Sequence, residues 1–206
     1  MKRIFIFLFI FCTFKVCAVD FTVNDTVSFF DDTNPGDEIC TTGFTSTCTL
    51  IAAIQETNAL PGSHRILLNS DTYTSSRLPS IYEITNSDVE IVGLGQNSTV
   101  IDGNLDGPIF DIYNSNVTIK NLSIINGKGT VANALGGAIY AYRGPLATAD
   151  LLIQNVKFEN NSANLGGALS TVDMNVTIEG SSFRNNSTED LGSQICMALP
   201  FPSDVV

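Results

Sequence analysis

The segment LLIQNVKFENNSANLGGALS, residues 151–170, decides the fold that we predict for this chain. Its first part aligns without gaps with residues 117–129 and with residues 176–188, whose starts lie 34 residues before it and 25 residues after it. Its second part, LGGAL, has a counterpart in LGGAI at residues 135–139. Recurrence of a short unit at this spacing is typical of a solenoid, in which each unit forms one coil that stacks on its neighbour.

The apolar residues of each repeat alternate with polar ones, and this alternation predicts β-strands with one buried face. Leu151 and Ile153 open one repeat, and Phe158 ends its second apolar pair. Coils of a β-solenoid lie about 4.8 Å apart, so Phe158 and Phe183 are predicted to stack in a column of large inward-facing groups. A residue suited to a bend separates the two apolar pairs in each repeat: Asn121, Asn155 and Gly180.

Polar and small residues mark the predicted corners between strands. Asn tolerates positive φ and can hydrogen bond to the equivalent residue of neighbouring coils. The corner after each Phe position is assigned to Asn126, Asn160 and Asn185, and the FxxN motifs end one residue later at Asn161 and Asn186. Two Gly-Gly-Ala steps are predicted as tight turns, each followed by a core residue: Gly136, Gly137, Ala138 and Ile139, and Gly166, Gly167, Ala168 and Leu169.

These features predict an all-β fold, a parallel β-helix whose repeats occupy residues 61–195. Residues 81–112 fit the same scheme more loosely, with short alternating apolar runs separated by Asn, Gly, Ser and Asp. A β-sandwich is the alternative all-β interpretation. It explains the turn residues, but it gives no reason for nearly identical segments to recur, so we favour the β-helix.

The chain opens with a predicted signal peptide at residues 1–18. Lys2 and Arg3 precede an apolar run over residues 4–14, and the segment ends at Ala18. That run is shorter than the ~20 residues that cross a bilayer, so we expect no membrane span in the mature chain. Without the signal peptide, 7 basic and 21 acidic residues remain, a formal net charge of −14. Such a surface repels nucleic acid and anionic lipid, so we exclude both as partners.

Residues 19–60 are predicted to form an N-terminal cap. Residues 21–30 read as a first strand, and residues 48–62 as an amphipathic helix that covers the open first coil. Cys40 and Cys48 are close in sequence, and in an exported chain we expect a disulfide between them, worth roughly 2.5 kcal/mol. The apolar stripe of the helix consists of Leu50, Ile51, Ile54 and Leu60, with Thr47 or Thr49 as its N-cap.

The third cysteine of the mature chain and the single histidine have no assigned chemistry. Cys196 has no evident partner, and both a free thiol and an intermolecular disulfide stay open for it. His64 follows Pro61 and Gly62 and has no Ser or Asp context, so we predict a surface turn residue. With one His and no second Cys pair, a Cys/His metal site is not expected, and no cofactor is predicted.

The cap resembles the CSLREA-type domain found at the start of exported bacterial proteins. The matching segments are FTVNDT (21–26), DDTNPGDEIC (31–40) and CTLIAAIQETNA (48–59). Within the motif itself, Thr49, Ile51 and Ala52 stand where that family has Ser, Arg and Glu. The resemblance implies that the chain is exported.

The rest of the chain is similar to polymorphic outer membrane proteins and to other right-handed parallel β-helices of the pectate-lyase type, whose repeats carry GGA[ILV] and FxxN. This chain supplies GGAI (136–139), GGAL (166–169), FENN (158–161) and FRNN (183–186). The resemblance implies a right-handed β-helix that is secreted or exposed at the cell surface, associated with the outer membrane if the source is bacterial. Residues 196–206 are predicted to be an irregular tail, so that the chain reads as a truncated passenger of such a protein.

Two functions follow from this interpretation. The first is a non-catalytic exported module, adhesin-like or structural, that binds an extracellular protein or glycan along its long face. Its predicted binding residues are Tyr140, Tyr142 and Arg143, although core packing alone explains one face of that strand. An open last coil would also allow end-to-end self-association. The second is a β-helix polysaccharide lyase or glycoside hydrolase acting on extracellular glycans.

An enzyme of the second kind needs clustered or paired acids. The best cluster contains Asp102, Asn104 and Asp106, which match the first half of an EF-hand loop, but Tyr113 stands where that loop needs Glu. Calcium binding and a simple bend between strands both stay open for this segment. Because bases are scattered and the mature chain would repel a polyanionic substrate, we assign no catalytic residue and favour the binding function.

Overall fold

A computed structural model describes the protein over residues 18–27, 30–43, 45–74, 82–129, 135–145, 147–188 and 193–198. Residues 1–17 of the predicted signal peptide and 199–206 of the predicted tail lie outside these ranges. The elements in chain order are β1 (Asp20–Val23), α1 (Leu50–Ala59), β2 (Ser63–Leu68), β3 (Thr72–Thr74), β4 (Tyr82–Thr85), β5 (Asp88–Val92), β6 (Val100–Asp102), β7 (Phe110–Tyr113), β8 (Asn116–Ile125), β9 (Ile139–Tyr142), β10 (Asp150–Glu159), β11 (Ser162–Ala163), β12 (Leu169–Val172), β13 (Asn175–Glu179), β14 (Ser182–Arg184), β15 (Ser187–Thr188) and β16 (Ile195–Ala198).

The strands stack coil upon coil into a parallel β-helix, as the sequence predicts. Face 1 consists of β1, β2, β5, the first halves of β8 and β10, and β13. Face 2 consists of β3, β6, the second halves of β8 and β10, and β14. Face 3 is a five-stranded sheet in the order β16-β12-β9-β7-β4. All pairings within these faces are parallel, so equivalent positions of successive coils lie over one another.

The observed register is the one given by the gap-free alignment of the repeats. Leu151 pairs with Val117 on one side and with Val176 on the other. Phe158 pairs with Phe183, and their rings stack with centroids 4.7 Å apart and planes 5° apart. The predicted column of large groups is therefore confirmed. It extends backwards along face 2 through Ile124, Ile101 and Tyr73.

The bends within the long strands also lie where they are predicted. Asn121, Asn155 and Gly180 have φ of 57°, 53° and 57°, in the left-handed region that these residue types tolerate. The Asn155 side-chain amide donates to Oδ1 of Asn121 at 2.9 Å. Each long strand can therefore turn from face 1 to face 2 without interrupting its pairing with the neighbouring coil.

At the next corner, the sequence prediction needs a correction. Asn160 and its equivalents Asn126 and Asn185 have φ between 51° and 57°, as expected, and Asn126 also bonds to the preceding coil, since its Nδ2 donates to Oδ1 of Asp102 at 2.9 Å. At the Asn160 corner, however, the side-chain hydrogen bonds between coils come from the following residue. Asn161 donates from Nδ2 to Oδ1 of Asn186 at 2.9 Å and to the carbonyl of Ile124 at 3.1 Å. Its Oδ1 accepts the backbone N–H of Gly127 at 2.8 Å. Asn160 thus supplies the turn, whereas Asn161, fully buried, supplies the bonds.

The Gly-Gly-Ala steps form the tight turns that lead into face 3. Gly136 has φ of 65° and Gly166 has φ of 61°, angles that other residues adopt only with strain. Gly137 is required for close approach, because a Cβ there would lie 2.3 Å from the carbonyl oxygen of Gly167. Ile139 and Leu169, which follow, point inward as predicted and are completely buried, and so are Ala138 and Ala168.

The N-terminal cap forms, with shorter elements than predicted. The helix covers Leu50–Ala59, because the Thr49 hydroxyl caps its start by accepting the N–H of Ala52 at 3.1 Å. Leu50 and Ile54 are buried in the same core as the strands, whereas Ile51 and Leu60 are partly buried. The first strand ends at Val23 instead of reaching residue 30. Within the described ranges, no helix has the length and apolarity needed to span a membrane.

The helix covers the edge of face 3 with polar groups as well as apolar ones. Asn58 lies beside β4 and imitates a neighbouring strand. Its amide donates to the carbonyl of Glu83 at 2.7 Å, and its Oδ1 accepts the N–H of Thr85 at 3.0 Å. Ser87 donates its hydroxyl hydrogen to the carbonyl of Thr57 at 3.0 Å. These backbone groups of β4 therefore already have hydrogen-bond partners, so they are not available to pair with a strand of another protein.

Of three further predictions from the sequence, one is confirmed and two are wrong. The Cys40–Cys48 disulfide is present. The predicted surface position of His64 is wrong: it lies in β2, is 2 % exposed, and its Nδ1 accepts the backbone N–H of Val19 at 3.3 Å. The boundary at residue 195 is also wrong, because β16 continues to Ala198 and pairs with β12. The strand extends because its backbone hydrogen bonds are satisfied by the preceding coil.

Candidate functional site

Face 3 carries two rows of outward-pointing side chains. The first row runs across the coils through Glu83, Asp111, Tyr140, Ser170 and Cys196. The second row, two residues further along each strand, consists of Thr85, Tyr113, Tyr142, Val172 and Ala198. The outward direction follows from strand alternation, because the intervening residues Ile112 and Ala141 are completely buried. Aromatic and acidic groups are thus concentrated on the strands β4, β7 and β9.

Three tyrosines form one cluster on this surface. The rings of Tyr140 and Tyr142 stack with centroids 4.7 Å apart and planes 19° apart. Tyr113 contacts Tyr142 from the neighbouring coil, with centroids 4.9 Å apart and planes 40° apart. In the described part of the chain, none of the three hydroxyls has a hydrogen-bond partner. The structure therefore confirms that Tyr140 and Tyr142 lie together on the outside. It adds Tyr113 to them, a residue that the sequence analysis named only because it stands where a calcium-binding loop needs Glu.

Asp111, a carboxyl whose pKa is raised, lies beside the tyrosines. Burial, assisted by the nearby charge of Glu83, raises the pKa of Asp111 to about 6. Burial also raises the pKa of Tyr140 and of Tyr142, and the negative charge of Asp111 adds to both shifts. Asp111 accepts no hydrogen bond from any residue that the structure describes. Its partly buried carboxyl therefore remains available to interact with a ligand outside the protein.

Arg143, the third predicted binding residue, is used elsewhere. Its guanidinium donates to Oδ1 of Asp173 at 2.7 Å and also to the carbonyl oxygens of Asp173 and Ala147. These bonds fix the corner that follows β9 against the next coil. The cation is thus neutralised at that corner and does not offset the acidity of the tyrosine cluster.

The Asp102 segment forms a turn held by its own side chains. Asp102 Oδ1 accepts the N–H of Asn104 at 2.9 Å and the amide of Asn126 at 2.9 Å. The amide of Asn104 donates to Asp106 at 2.9 Å. No three His, Cys, Asp or Glu side chains converge on a position suited to a metal ion anywhere in the described ranges. The geometry accounts for this segment as a bend between strands.

The surface formed by the described residues includes two depressions that lie near polar groups of the sheets. One of about 380 Å³ adjoins the tyrosine cluster and is lined by Tyr113, Asn114, Gly144, Pro145 and Ala147. The other, of about 470 Å³, lies on face 1 around Arg65, Glu90 and Asn116. Its charged groups pair with one another, since Arg65 bridges Asp20 and Glu90. The first depression extends the tyrosine surface, whereas the charged groups of the second already have partners within the chain.

A buried acid in the cap has a structural role that sequence reasoning missed. Glu56 is completely buried, and its carboxylate accepts the backbone N–H groups of Gly36 and Glu38 at 2.8 and 3.0 Å. Burial is the main cause of its raised pKa. Glu56 thus holds the loop after β1 against α1. The one available signal was its place on the helix predicted over residues 48–62, where an acid follows the apolar positions Leu50, Ile51 and Ile54.

Comparison with family models, with curated proteins and with solved structures gives no match for this chain.

Proposed function

We propose that this chain is an exported, non-catalytic β-helix module that binds an extracellular protein or glycan through the tyrosine cluster of face 3. The observation that carries the proposal is the grouping of Tyr113, Tyr140 and Tyr142 on the outer side of two adjacent strands. Aromatic groups with an apolar body and a free hydroxyl are the residues that binding surfaces prefer. The rigid sheet below them holds the rings in place before a ligand arrives.

Export and a secreted or cell-surface location belong to the same proposal. They rest on the signal-like residues 1–18, on the Cys40–Cys48 disulfide, which favours an oxidising compartment, and on the resemblance to CSLREA-type and polymorphic outer membrane proteins. Nucleic acid stays excluded on charge. An adhesin-like role would use the face 3 surface of a rod whose other faces contribute stability.

A binding experiment tests the proposal. The mature chain, residues 19–206, is applied to a glycan array and to cells, and compared with the double variant Tyr140→Ala/Tyr142→Ala. We expect the double variant to bind at least about tenfold more weakly, because aromatic anchors contribute most of the energy of an interface. The matched control is Thr118→Ala/Leu152→Ala, which changes outward residues of face 1. Equal binding by both double variants and the parent chain would remove the support for this surface.

One observation favours a second function, a glycoside hydrolase. Glu83 and Asp111 occupy adjacent strands in the same outward row, and Asp111 has a pKa of about 6, a value suited to a general acid. Incubation with pectin and with neutral glycans, with and without Ca²⁺, tests for turnover. Hydrolysis that is lost in both Glu83→Gln and Asp111→Asn would replace the binding function by this one.

Self-association through the last coil is a further part of the proposal. The strands β13, β14 and β16 pair with the preceding coil on one side, and their inward residues Val176, Ile178 and Phe183 are only partly buried. Because α1 covers the first coil, a second copy would meet this end with its own last coil. The contact is therefore isologous and would close as a dimer.

A further inference from the structure

Four outward side chains of face 3 form the corners of a square. Asp111 and Tyr113 come from β7, and Tyr140 and Tyr142 come from the adjacent strand β9, in direct register. Three corners are aromatic and the fourth is a carboxyl. We call this group the Asp111 niche. Glu83 lies next to Asp111 on the other side, on β4, and is exposed.

The niche is anionic, and no cation belongs to it in the part of the chain that the structure describes. The two causes that raise the pKa of Asp111 are burial and the charge of Glu83, and no basic residue within the described ranges opposes them. Arg143 is the basic residue at the end of β9, and Asp173 neutralises it. No described residue donates a hydrogen bond to the Asp111 carboxyl. The free energy of the ionised site is therefore raised by the protein and would be lowered by a bound positive charge.

We propose that the Asp111 niche binds a quaternary ammonium group carried by the extracellular ligand, an inference that rests on the proposed binding function of face 3. Aromatic rings attract a cation to their electron-rich faces, and groups of such rings are a known means of recognising trimethylammonium. Asp111 supplies the countercharge at the fourth corner. A protein or glycan that bears a trimethylammonium substituent has the chemistry that this arrangement complements.

The charge of the niche distinguishes this ligand from a neutral sugar. The Asp111 carboxyl ionises at a pH of about 6 and has no countercharge among the described residues. A neutral sugar would leave that charge uncompensated, whereas a bound cation compensates it. A primary ammonium is more strongly hydrated than a quaternary one, so its transfer from water to a partly buried site costs more. A weakly hydrated organic cation satisfies the site best.

Binding should depend on pH in a defined direction. A cation lowers the pKa of a nearby carboxyl, so it binds the ionised form of Asp111 preferentially. The groups that face Asp111 are Glu83 from β4, Tyr140 and Tyr142 from β9, and Tyr113 from its own strand. If the ionised form alone binds, the apparent affinity at pH 5 is about tenfold lower than at pH 7.5, because about one tenth of the carboxyl is then ionised.

The experiment uses the mature chain, residues 19–206, and isothermal titration with tetramethylammonium chloride, with choline and with 3,3-dimethylbutan-1-ol, the neutral counterpart of choline. We expect saturable binding of both cations with a Kd of about 1 mM or tighter, and none of the alcohol. Asp111→Asn should weaken cation binding about tenfold. The control Asp20→Asn removes the same charge from the exposed end of face 1 and should leave binding unchanged.

Several outcomes would overturn the inference: no saturable binding of tetramethylammonium, equal binding of the alcohol, or the same loss of affinity in both variants. Failure here is distinguishable from failure of the proposed function. If glycan-array or cell binding depends on Tyr140 and Tyr142 but is insensitive to Asp111→Asn and to competition by choline, the binding function stands and the cation inference is wrong. If choline competes with that binding in the parent chain, the ammonium-bearing ligand is supported.

Discussion

Phe158 and Phe183 lie face to face across adjacent coils, with ring centroids 4.7 Å apart and planes only 5° apart. The two rings occupy equivalent positions of two repeats, yet their environments differ. Phe158 is completely buried between Ile124 and Phe183, whereas Phe183 is only partly buried. The same residue type in the same register should therefore contribute unequally to stability.

We expect Phe158→Ala to reduce the free energy of unfolding by about 3–5 kcal/mol, because the change leaves a cavity between two coils. Phe183→Ala should cost about 1–3 kcal/mol, since part of its surface already faces outward. Urea unfolding of both variants, followed by circular dichroism, measures the difference. Equal losses in the two variants would contradict the burial that distinguishes them.

The division of labour between Asn160 and Asn161 leads to a second prediction. Asn161→Ala removes a buried amide that bonds to Asn186, Ile124 and Gly127, so we expect a loss of about 2–4 kcal/mol. Asn160→Gly keeps the positive φ of an exposed corner and should change stability by less than about 1 kcal/mol. Unfolding midpoints of the two variants provide the comparison. A larger effect at Asn160 would restore the original sequence interpretation.

The close approach at Gly137 leads to a third prediction. A methyl group there would overlap the carbonyl oxygens of Gly167 and Ser162, at 2.3 and 2.5 Å. Gly137→Ala should therefore separate two coils and destabilise the fold by about 1–3 kcal/mol or more. Gly43→Ala is the control, because its nearest neighbour would be a hydroxyl at 3.9 Å. Thermal unfolding of the two variants should show a lower Tm for Gly137→Ala alone.

The raised pKa of Asp111 predicts the pH dependence of stability. An unfolded Asp ionises near pH 4, whereas the folded group ionises at about 6, so between these values the folded state binds more protons. The stability that the protonated carboxyl contributes to the folded state is therefore fully present below pH 4. It is lost as the pH rises through 6, where Asp111 ionises in the folded protein. We expect Asp111→Asn to have a higher Tm than the parent chain at pH 7.5, with a smaller difference at pH 4. A constant difference at both pH values would contradict the shift.

Self-association through the last coil gives the fifth prediction. Met197 is 55 % exposed on β16, next to the partly buried residues of that coil. Met197→Lys should shift a concentration-dependent dimer towards the monomer, because a charge is costly to bury at an apolar contact. Leu94→Lys changes a similarly exposed apolar residue away from that end, so sedimentation equilibrium should show no shift for it. Identical behaviour of both variants would exclude the last coil as the contact.

The repeats were predictable from sequence because their signals are local. Alternation at Leu151 and Ile153 defines the inward side of a strand, and unbroken alignment with the neighbouring repeats fixes the register without knowledge of the corners. The bends at Asn121 and Asn155 follow from the backbone preference of one residue type. The fold class, the column of large inward groups and the disulfide could therefore be predicted from residues that are close in sequence.

The candidate site was only half predictable, because it depends on distances between coils of unequal length. Tyr140 and Tyr142 belong to one strand, so alternation placed them together. Asp111 and Glu83 join them from other coils, and the intervening corners vary too much for spacing alone to show the pairing. His64 was misplaced for a related reason: Gly62 ends the cap, but the next strand begins immediately at Ser63.

The helix α1 fits a single place, since Asn58 bonds to the backbone of β4 and the buried side of the helix packs on the first coil. The contacts between later coils, by contrast, repeat one pattern from β8 to β10 to β13. Duplication of residues 150–174 would therefore insert one more rung and lengthen the rod by about 4.8 Å. Neither α1 nor the Asp111 niche would be disturbed. Coils can thus be added on the C-terminal side of the niche but not between α1 and the first coil, so variants of different length would keep the same N-terminal end.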